Sequence, residues 1–236
     1  MRKILEVRKL SKSFGGLQVF RNISFSLFEG SSVGLIGPNG AGKTTLINVI
    51  TAFLRSDEGE VLFEGKNILN VAPWRLVQMG VCRSWQLVRV FGTLTVRQCL
   101  KVASMYGQNR GPAFLEKLVE EFGFKPIENV RAMDLSFGHR KMLSIAMTIA
   151  TRPKLLILDE PFMGLSPDES EFIANLLRTL KGNVTQLIID HKIKEIFSVV
   201  DKVLVLASGS IIAEGSPSEV SRDKRVIEAY LGGEGV

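Results

Sequence analysis

No apolar run in this 236-residue sequence approaches the ~20 residues of a membrane-spanning helix; Leu155 to Leu158 is typical of the longest. Met1 to Leu10 hold no apolar stretch of signal-peptide length. A cytoplasmic address is the expectation, with a docked membrane partner left open. Cysteine is scarce: only Cys82 and Cys99 occur, without the spacing of a metal site. They read as two buried or half-buried thiols, not as a disulfide. Internal repeats and low-complexity linkers are missing. So is a basic stripe. The formal net charge is +6, yet Lys and Arg are scattered in short groups such as Arg2-Lys3, Arg8-Lys9 and Arg140-Lys141. Nucleic-acid proteins usually gather such an excess on one face with interleaved aromatics. These groups read as solvated surface, and charge alone decides nothing.

What is present is an ordinary globular composition, 45% hydrophobic and 23% charged. The length can bury the core of one α/β domain or of two small ones. Ile4 to Lys9 alternate, and Ile23, Phe25 and Leu27 are spaced by two. That period, broken by Gly15-Gly16, predicts antiparallel strands. Val33 to Ile36, Leu155 to Leu158 and Leu187 to Ile189 are continuous apolar runs. Such runs suit parallel strands covered on both faces. After Lys43, Leu46, Ile47, Ile50, Phe53 and Leu54 recur at helical spacing. Ser166-Pro167-Asp168-Glu169 reads as a capping box opening a helix with Phe172, Ile173, Leu176, Leu177 and Leu180 on one face; Ser216-Pro217-Ser218-Glu219 repeats the start signal. Gly232 to Val236 are expected to fray. The fold class is therefore α/β, an open sheet with a mostly helical insertion from about residue 87 to 151.

Gly37-Pro38-Asn39-Gly40-Ala41-Gly42-Lys43-Thr44 fits the phosphate-loop pattern, and Thr45 follows it. An apolar strand precedes it and an amphipathic helix succeeds it. Glycines let successive N–H groups turn toward one anion, and the helix N-terminus adds its dipole. Lys43 supplies a charge for β/γ-phosphates, and the Thr44 hydroxyl can ligate Mg²⁺. Asp159 and Glu160 stand where Leu155 to Leu158 emerges. Adjacent side chains on a strand point to opposite sides, so the two carboxylates need not share a role. Asp159 suits a Mg²⁺ shell, and Glu160 suits a base polarising an attacking water. His191 ends the third run in the same way.

Together these motifs resemble the ATP-binding cassette family. Leu135-Ser136-Phe137-Gly138-His139-Arg140-Lys141 is similar to its signature, followed by Leu143, Ala146, Met147 and Ala150 on one helical face. Arg83-Ser84-Trp85-Gln86 resembles the Q-loop and Gly164-Leu165-Ser166 the D-loop. Phe14 lies where the family stacks an aromatic on adenine. Phe14-Gly15-Gly16-Leu17, Asn48 to Thr51, Val90 to Val96, Ile212 to Gly215 and Arg225 to Leu231 further resemble the ATPases of branched-chain amino-acid importers.

The resemblance implies one P-loop NTPase domain, with core 1–86 and 152–236, an antiparallel β subdomain and a helical subdomain at about 87–151. It implies MgATP bound by Phe14 and residues 37 to 45, with Thr44, Gln86 and Asp159 toward Mg²⁺. Glu160, His191 and Gln86 are then catalytic. Ser136 and Gly138 would face the nucleotide of a second cassette subunit, a copy or a paralogue. The other implied partners are membrane permease subunits and, indirectly, an extracytoplasmic solute-binding protein. The address becomes the cytoplasmic face of the membrane. Gln86 would link the γ-phosphate to a permease groove between itself and the helical insertion.

Three positions depart from the family pattern: Phe137 for glycine, His139 for glutamine, and Ser166 for Asp or Asn. His139 reads as an exposed residue rather than one that tunes the opposite site. The insertion between Val96 and Asp134 is shorter than in the apparent relatives. An exporter ATPase for lipid-linked cargo shares all this chemistry. A soluble cassette acting on nucleic acid usually has long coiled coils or two cassettes, absent here, so no nucleic-acid partner is expected. A binding module without turnover is opposed by Glu160 together with His191.

Overall fold

Gly15 and Gly16 take φ of +52° and +87°, the left-handed pair that closes a two-residue hairpin with the twist of its strands. They join β1 (Lys3–Phe14) to β2 (Leu17–Phe28), antiparallel with Phe14 opposite Leu17, as the alternation predicts. The computed structural model describes residues 2–107 and 112–231, so the fraying expected at Gly232 to Val236 lies outside the described residues. The alternation itself is interrupted. Lys9 sits at φ +46° within a register shift between Val7 and Leu10, and this bulge lets Leu5, Val7 and Leu10 all be buried.

β3 (Ser32–Ile36) leads through the phosphate loop to α1 (Lys43–Ile50). The helix is shorter than its apolar stripe. Thr51 Oγ1 donates to Ile47 O at 2.6 Å, Ala52 turns left-handed at φ +58°, and the N–H groups of Phe53 and Leu54 return to Asn48 O. Leu46, Ile47 and Ile50 are buried as expected, whereas Phe53 leaves the stripe and is 49% exposed. β4 (Glu58–Phe63) and β5 (Lys66–Asn67) extend the hairpin into an antiparallel sheet of order β2-β1-β4-β5.

After α2 (Pro73–Met79), β6 (Val81–Ser84) enters a second sheet. The next elements are helical: α3 (Val96–Ser104), α4 (Pro112–Glu121) and α5 (Phe137–Ala150), with 3-10 turns at Lys125–Ile127 and Ala132–Asp134. On this ground we propose residues 87–151 as the inserted helical subdomain and 1–86 with 152–236 as the core. β7 (Leu155–Asp159), α6 (Pro167–Leu180), β8 (Thr185–Ile189), α7 (Ile193–Val199) and β9 (Lys202–Ala207) then alternate. β10 (Ser210–Gly215), α8 (Pro217–Val220) and α9 (Lys224–Leu231) follow.

The second sheet has the order β10-β9-β3-β8-β7-β6. All its pairings are parallel except β9 with β10. The three predicted runs are β3, β7 and β8; β6 and β9 add two parallel strands beyond them. Within the apolar β7 a period of two persists. Leu155 and Ile157 face one core, with α1 and the antiparallel sheet, while Leu156 and Leu158 face a second core with the helices of the opposite side. Each such fully buried side chain contributes ~1.5–3 kcal/mol. That burial on two faces is what fixes the strand ends in place.

The Ser166 box forms as predicted: Ser166 N donates to Glu169 Oε2 at 2.9 Å and Glu169 N to Ser166 Oγ at 3.3 Å. The Ser216 box forms too, but its helix lasts only four residues. Cys82 and Cys99 are free and buried. Burial pushes the Cys82 thiol up to about 11, against a hydrogen bond from Thr151.

Candidate active site

Parallel strands end on one edge of their sheet, and adjacent strands lie ~4.8 Å apart. The order β3-β8-β7-β6 therefore gathers four strand ends side by side. Lys43 follows β3, His191 follows β8, Asp159 ends β7 with Glu160 next, and Gln86 follows β6. Residues far apart in sequence become neighbours through register alone, at the sheet edge where α/β proteins bind ligands.

Around the phosphate loop, Gly37 and Ala41 are buried, Pro38, Gly42, Lys43 and Thr45 are half-buried, and Asn39, Gly40 and Thr44 are exposed. A Cβ at Gly37 would collide with the carbonyl oxygen of Leu206, so only glycine passes there. Gly42 caps α1 with φ +97°, no side chain bonds to the cap, and the first turn carries no acid. The N–H groups opening α1 thus lack a side-chain partner, which fits a phosphate. Lys43 Nζ curls back onto Gly37 O at 2.6 Å and Pro38 O at 2.9 Å. Burial lowers its pKa, opposed by Glu160 and Asp159. A half-buried cation satisfied only by its own loop fits a polyphosphate equally well.

Asp159 is buried and its Oδ2 accepts from Arg83 Nη2 at 2.6 Å. Glu160 stands at φ +49°, a left-handed conformation that costs ~1–3 kcal/mol for a residue with a side chain. Its N–H donates to Ile189 O at 2.7 Å, which ties β7 to β8, and its Oε2 accepts from Gln86 Nε2 at 2.9 Å. His191 Nδ1 lies 3.9 Å from Glu160 Oε1 and 3.4 Å from Asp190 Oδ1. The geometry therefore brings Gln86, Glu160 and His191 into one cluster.

Three further residues organise this cluster. Asp190, fully buried at its side chain, accepts from the N–H groups of His191 and Lys192 through Oδ1 and of Phe162 through Oδ2. It clamps the segments after β7 and β8 together. Lys141 is a correction: grouped with Arg140 as solvated surface, it is 1% exposed and points Nζ at Gln86 O, 3.3 Å away. Burial lowers its pKa, with Asp190, Asp159 and Glu160 opposing. Its helical spacing from buried Gly138 and Ile145 was the available signal. Arg83 is the third, a charge inside a strand. Lys43, Arg83 and Lys141 thus balance Asp159, Glu160 and Asp190.

Ser136 caps α5 by accepting from His139 N at 3.2 Å, and its Oγ lies 2.8 Å from His139 Nδ1. His139 is half-buried, not the exposed residue expected. The helix start packs on the first turn of α6 and the segment before it: a Cβ at Gly138 would strike the Glu169 carboxylate, and one at Gly164 the Phe137 ring. Among the described residues no hydrogen bond joins Leu135–His139 to the phosphate loop. Phe14 ends β1, 47% exposed, with Lys12 Nζ 5.1 Å from its ring centre. Phe14→Ala should weaken ATP affinity by the ~0.5–1.5 kcal/mol of a lost aromatic stack while saturated turnover stays near wild type. Equilibrium ATP binding beside steady-state kinetics checks this; normal binding with poor turnover assigns Phe14 another role.

Among the described residues no helix is long and apolar enough to cross a membrane, and no group of three or more His, Cys, Asp or Glu is placed to hold a metal. The family model described as ABC transporter matches residues 20–163, and one described as branched-chain amino acid ATP-binding cassette transporter matches residues 210–236. The chain is 35% identical to the probable branched-chain amino acid transport ATP-binding protein LivG of Archaeoglobus fulgidus, over 98% of this chain and 96% of that protein. It is 34% identical to the high-affinity branched-chain amino acid transport ATP-binding protein BraF of Pseudomonas aeruginosa, over 98% of each. Among solved structures, the ADP conformation of MJ1267, an ATP-binding cassette of an ABC transporter, superposes with a TM-score of 0.87 at 32% identity, covering 98% of this chain and 100% of that one. A helix with no side-chain cap behind a glycine loop, and a carboxylate pair at the end of the next strand but one, are what such matches lead one to expect, and the chain belongs to the ABC transporter family as an ATP-binding cassette with ATPase function.

Proposed function

We propose that this chain is the ATPase subunit that energises uptake of branched-chain amino acids through separate permease subunits. The observation that carries the reading is the meeting of Lys43, Asp159, Glu160, Gln86 and His191 at four adjacent strand ends. Thr44, Asp159 and Gln86 would hold Mg²⁺, which neutralises charge on the β- and γ-phosphates. A single carboxylate and one hydroxyl suffice, because Mg²⁺ keeps waters and takes phosphate oxygens as further ligands. Lys43 and the opening N–H groups of α1 bind the polyphosphate. Glu160 accepts the proton of the water that attacks the γ-phosphorus, releasing ADP and phosphate, while Gln86 and His191 hold the carboxylate in place.

The signature lies outside this cluster in its own chain. Ser136 is exposed at the N-terminus of α5, where free N–H groups and the dipole favour an anion. That supports a site completed by the Ser136 and Gly138 of a second cassette subunit. A groove of about 190 Å³ is lined by Phe53, Pro73, Trp74, Val77, Arg83 and Trp85. Phe53 and Trp74 are 49% and 60% exposed; aromatic exposure of this kind suits an apolar partner. Its walls come from the turn after α1, from α2 and from β6 with Trp85 just beyond it, so it differs from the groove against the helical insertion expected from the sequence. We take it as the surface that meets the permease on the cytoplasmic face of the membrane. The match at residues 210–236 supports the importer reading over the exporter one.

Cells lacking this chain should lose most uptake of labelled leucine, isoleucine and valine, and wild-type protein should restore it while Glu160→Gln does not. Detergent extracts should yield the tagged chain with a polytopic membrane protein, and Trp74→Asp should reduce that recovery. Unchanged uptake, or recovery with RNA or DNA alone, overturns the proposal.

A further inference from the structure

Arg83 touches both the groove and the carboxylate assigned to the metal. Its side chain is 5% exposed. Nη2 donates to Asp159 Oδ2 at 2.6 Å, and Nη1 to Asn48 Oδ1 at 2.7 Å and Thr51 Oγ1 at 3.2 Å, at the end of α1. The guanidinium carbon lies 4.3 Å from the Trp85 ring centre, and that ring meets Phe53 edge-on at 4.6 Å. Arg83, Trp85 and Phe53 all line the groove. One planar cation therefore bridges the aromatic wall, the last turn of the phosphate-loop helix and Asp159.

Two further facts make this bridge adjustable. Asp159 Oδ1 accepts no hydrogen bond among the described residues, while Oδ2 is held by Arg83. Arg83 Nε is buried without a partner, so the guanidinium keeps a donor in reserve for a shifted position. A second cation at Asp159 repels the guanidinium, and the face of Trp85 is the surface that attracts it away. Arginine suits the task because its fork is rigid and stacks on rings, which a lysine ammonium does not.

We propose that Arg83 is a positioning residue that couples the groove to Asp159, its stacking on Trp85 setting how firmly it holds the metal-binding carboxylate. Metal and nucleotide then move the guanidinium against Trp85, and a partner pressing on Trp85 changes metal affinity, since coupling between two sites is reciprocal. The inference rests on the functional reading above. It adds a route to the metal that does not pass through Gln86.

Trp74→Phe leaves Trp85 as the single tryptophan. In that background Trp85 emission should shift with ATP plus Mg²⁺ and stay still with ATP plus chelator. Radiolabelled ATP binding is measured in parallel. Failure of ATP to bind overturns the functional reading; binding with a silent Trp85 overturns the coupling alone. Arg83→Lys keeps a charge on Asp159, so it should bind MgATP yet lose most of the Trp85 shift. A full shift in that variant also overturns the coupling. Trp85→Ala, read by the Mg²⁺ dependence of ATP binding, keeps the proposal testable if Arg83→Lys does not fold. It should weaken apparent Mg²⁺ affinity roughly 2- to 30-fold, Trp85→Phe should restore it, and an unchanged affinity in Trp85→Ala sinks the proposal.

Discussion

Glu160→Gln will hold MgATP but hydrolyse it ~10²–10⁴-fold more slowly than wild type, the usual loss when a general base is removed. The amide keeps the size of the side chain and an oxygen for Gln86 Nε2, now 2.9 Å from Glu160 Oε2. It cannot take a proton from water. The backbone at φ +49° and its bond to Ile189 O do not depend on the carboxylate, so the fold should persist. On the proposed reading Lys43, Thr44, Asp159 and the opposite Ser136 would still hold the nucleotide. The mutant should therefore form an ATP-dependent dimer, visible by light scattering, with the natural paralogue added if the chain pairs with one. Adding Ser136→Arg should abolish that dimer by placing a long side chain against the opposite nucleotide. Wild-type turnover in Glu160→Gln removes Glu160 from the chemistry. A trapped dimer indifferent to Ser136→Arg removes the signature from the opposite site.

Lys43→Ala should lower turnover ~10²–10³-fold or more, because one preorganised charge on the transferring phosphate is worth about that much. Here the fold is not at risk. Lys43 Nζ bonds only to two carbonyls of its own loop, so the melting transition should move by no more than ~1–2 kcal/mol of stability. Normal affinity and turnover in a folded mutant would refute the phosphate-loop assignment. The wild type offers a pH test of the same group. Burial lowers the Lys43 pKa from 10.5, and Asp159 and Glu160 only partly oppose it. The ammonium is charged below that lowered value, so ATP affinity should fall with rising pH before the ordinary lysine range is reached. Lys43→Ala should lack that step.

Much of this site was legible because its signals are local. A phosphate loop is one turn of chain, and Gly37 to Thr44 carry every glycine and donor the turn needs. Asp159, Glu160 and His191 announce themselves as polar residues ending apolar runs. The Ser166 capping box is equally local, since its partners are three residues apart. What a stretch of sequence does not display is the counter-charge from another element. Lys141 read as surface because most charged residues are, and nothing near Arg83 in the sequence showed its partner; here Asp159 holds Arg83 from 76 residues away and a Gln86 carbonyl holds Lys141 from 55.

The α1 stripe shows the same limit from the apolar side. Phe53 and Leu54 continue the helical spacing, yet the Thr51 hydroxyl and the left-handed Ala52 end the helix first. Phe53 is thereby released to build the groove beside Trp85. From residue types and spacing alone came the α/β class, the phosphate loop and the carboxylate pair, because strand, helix and turn preferences act over a few residues; the family came from the resemblance of the motifs. The sheet order β3-β8-β7-β6, the pairing of Arg83 with Asp159, the clamp at Asp190 and the position of the groove were decided only by the tertiary structure. Each depends on which strands lie side by side, and that is settled by burying two apolar faces at once, not by any segment of the chain.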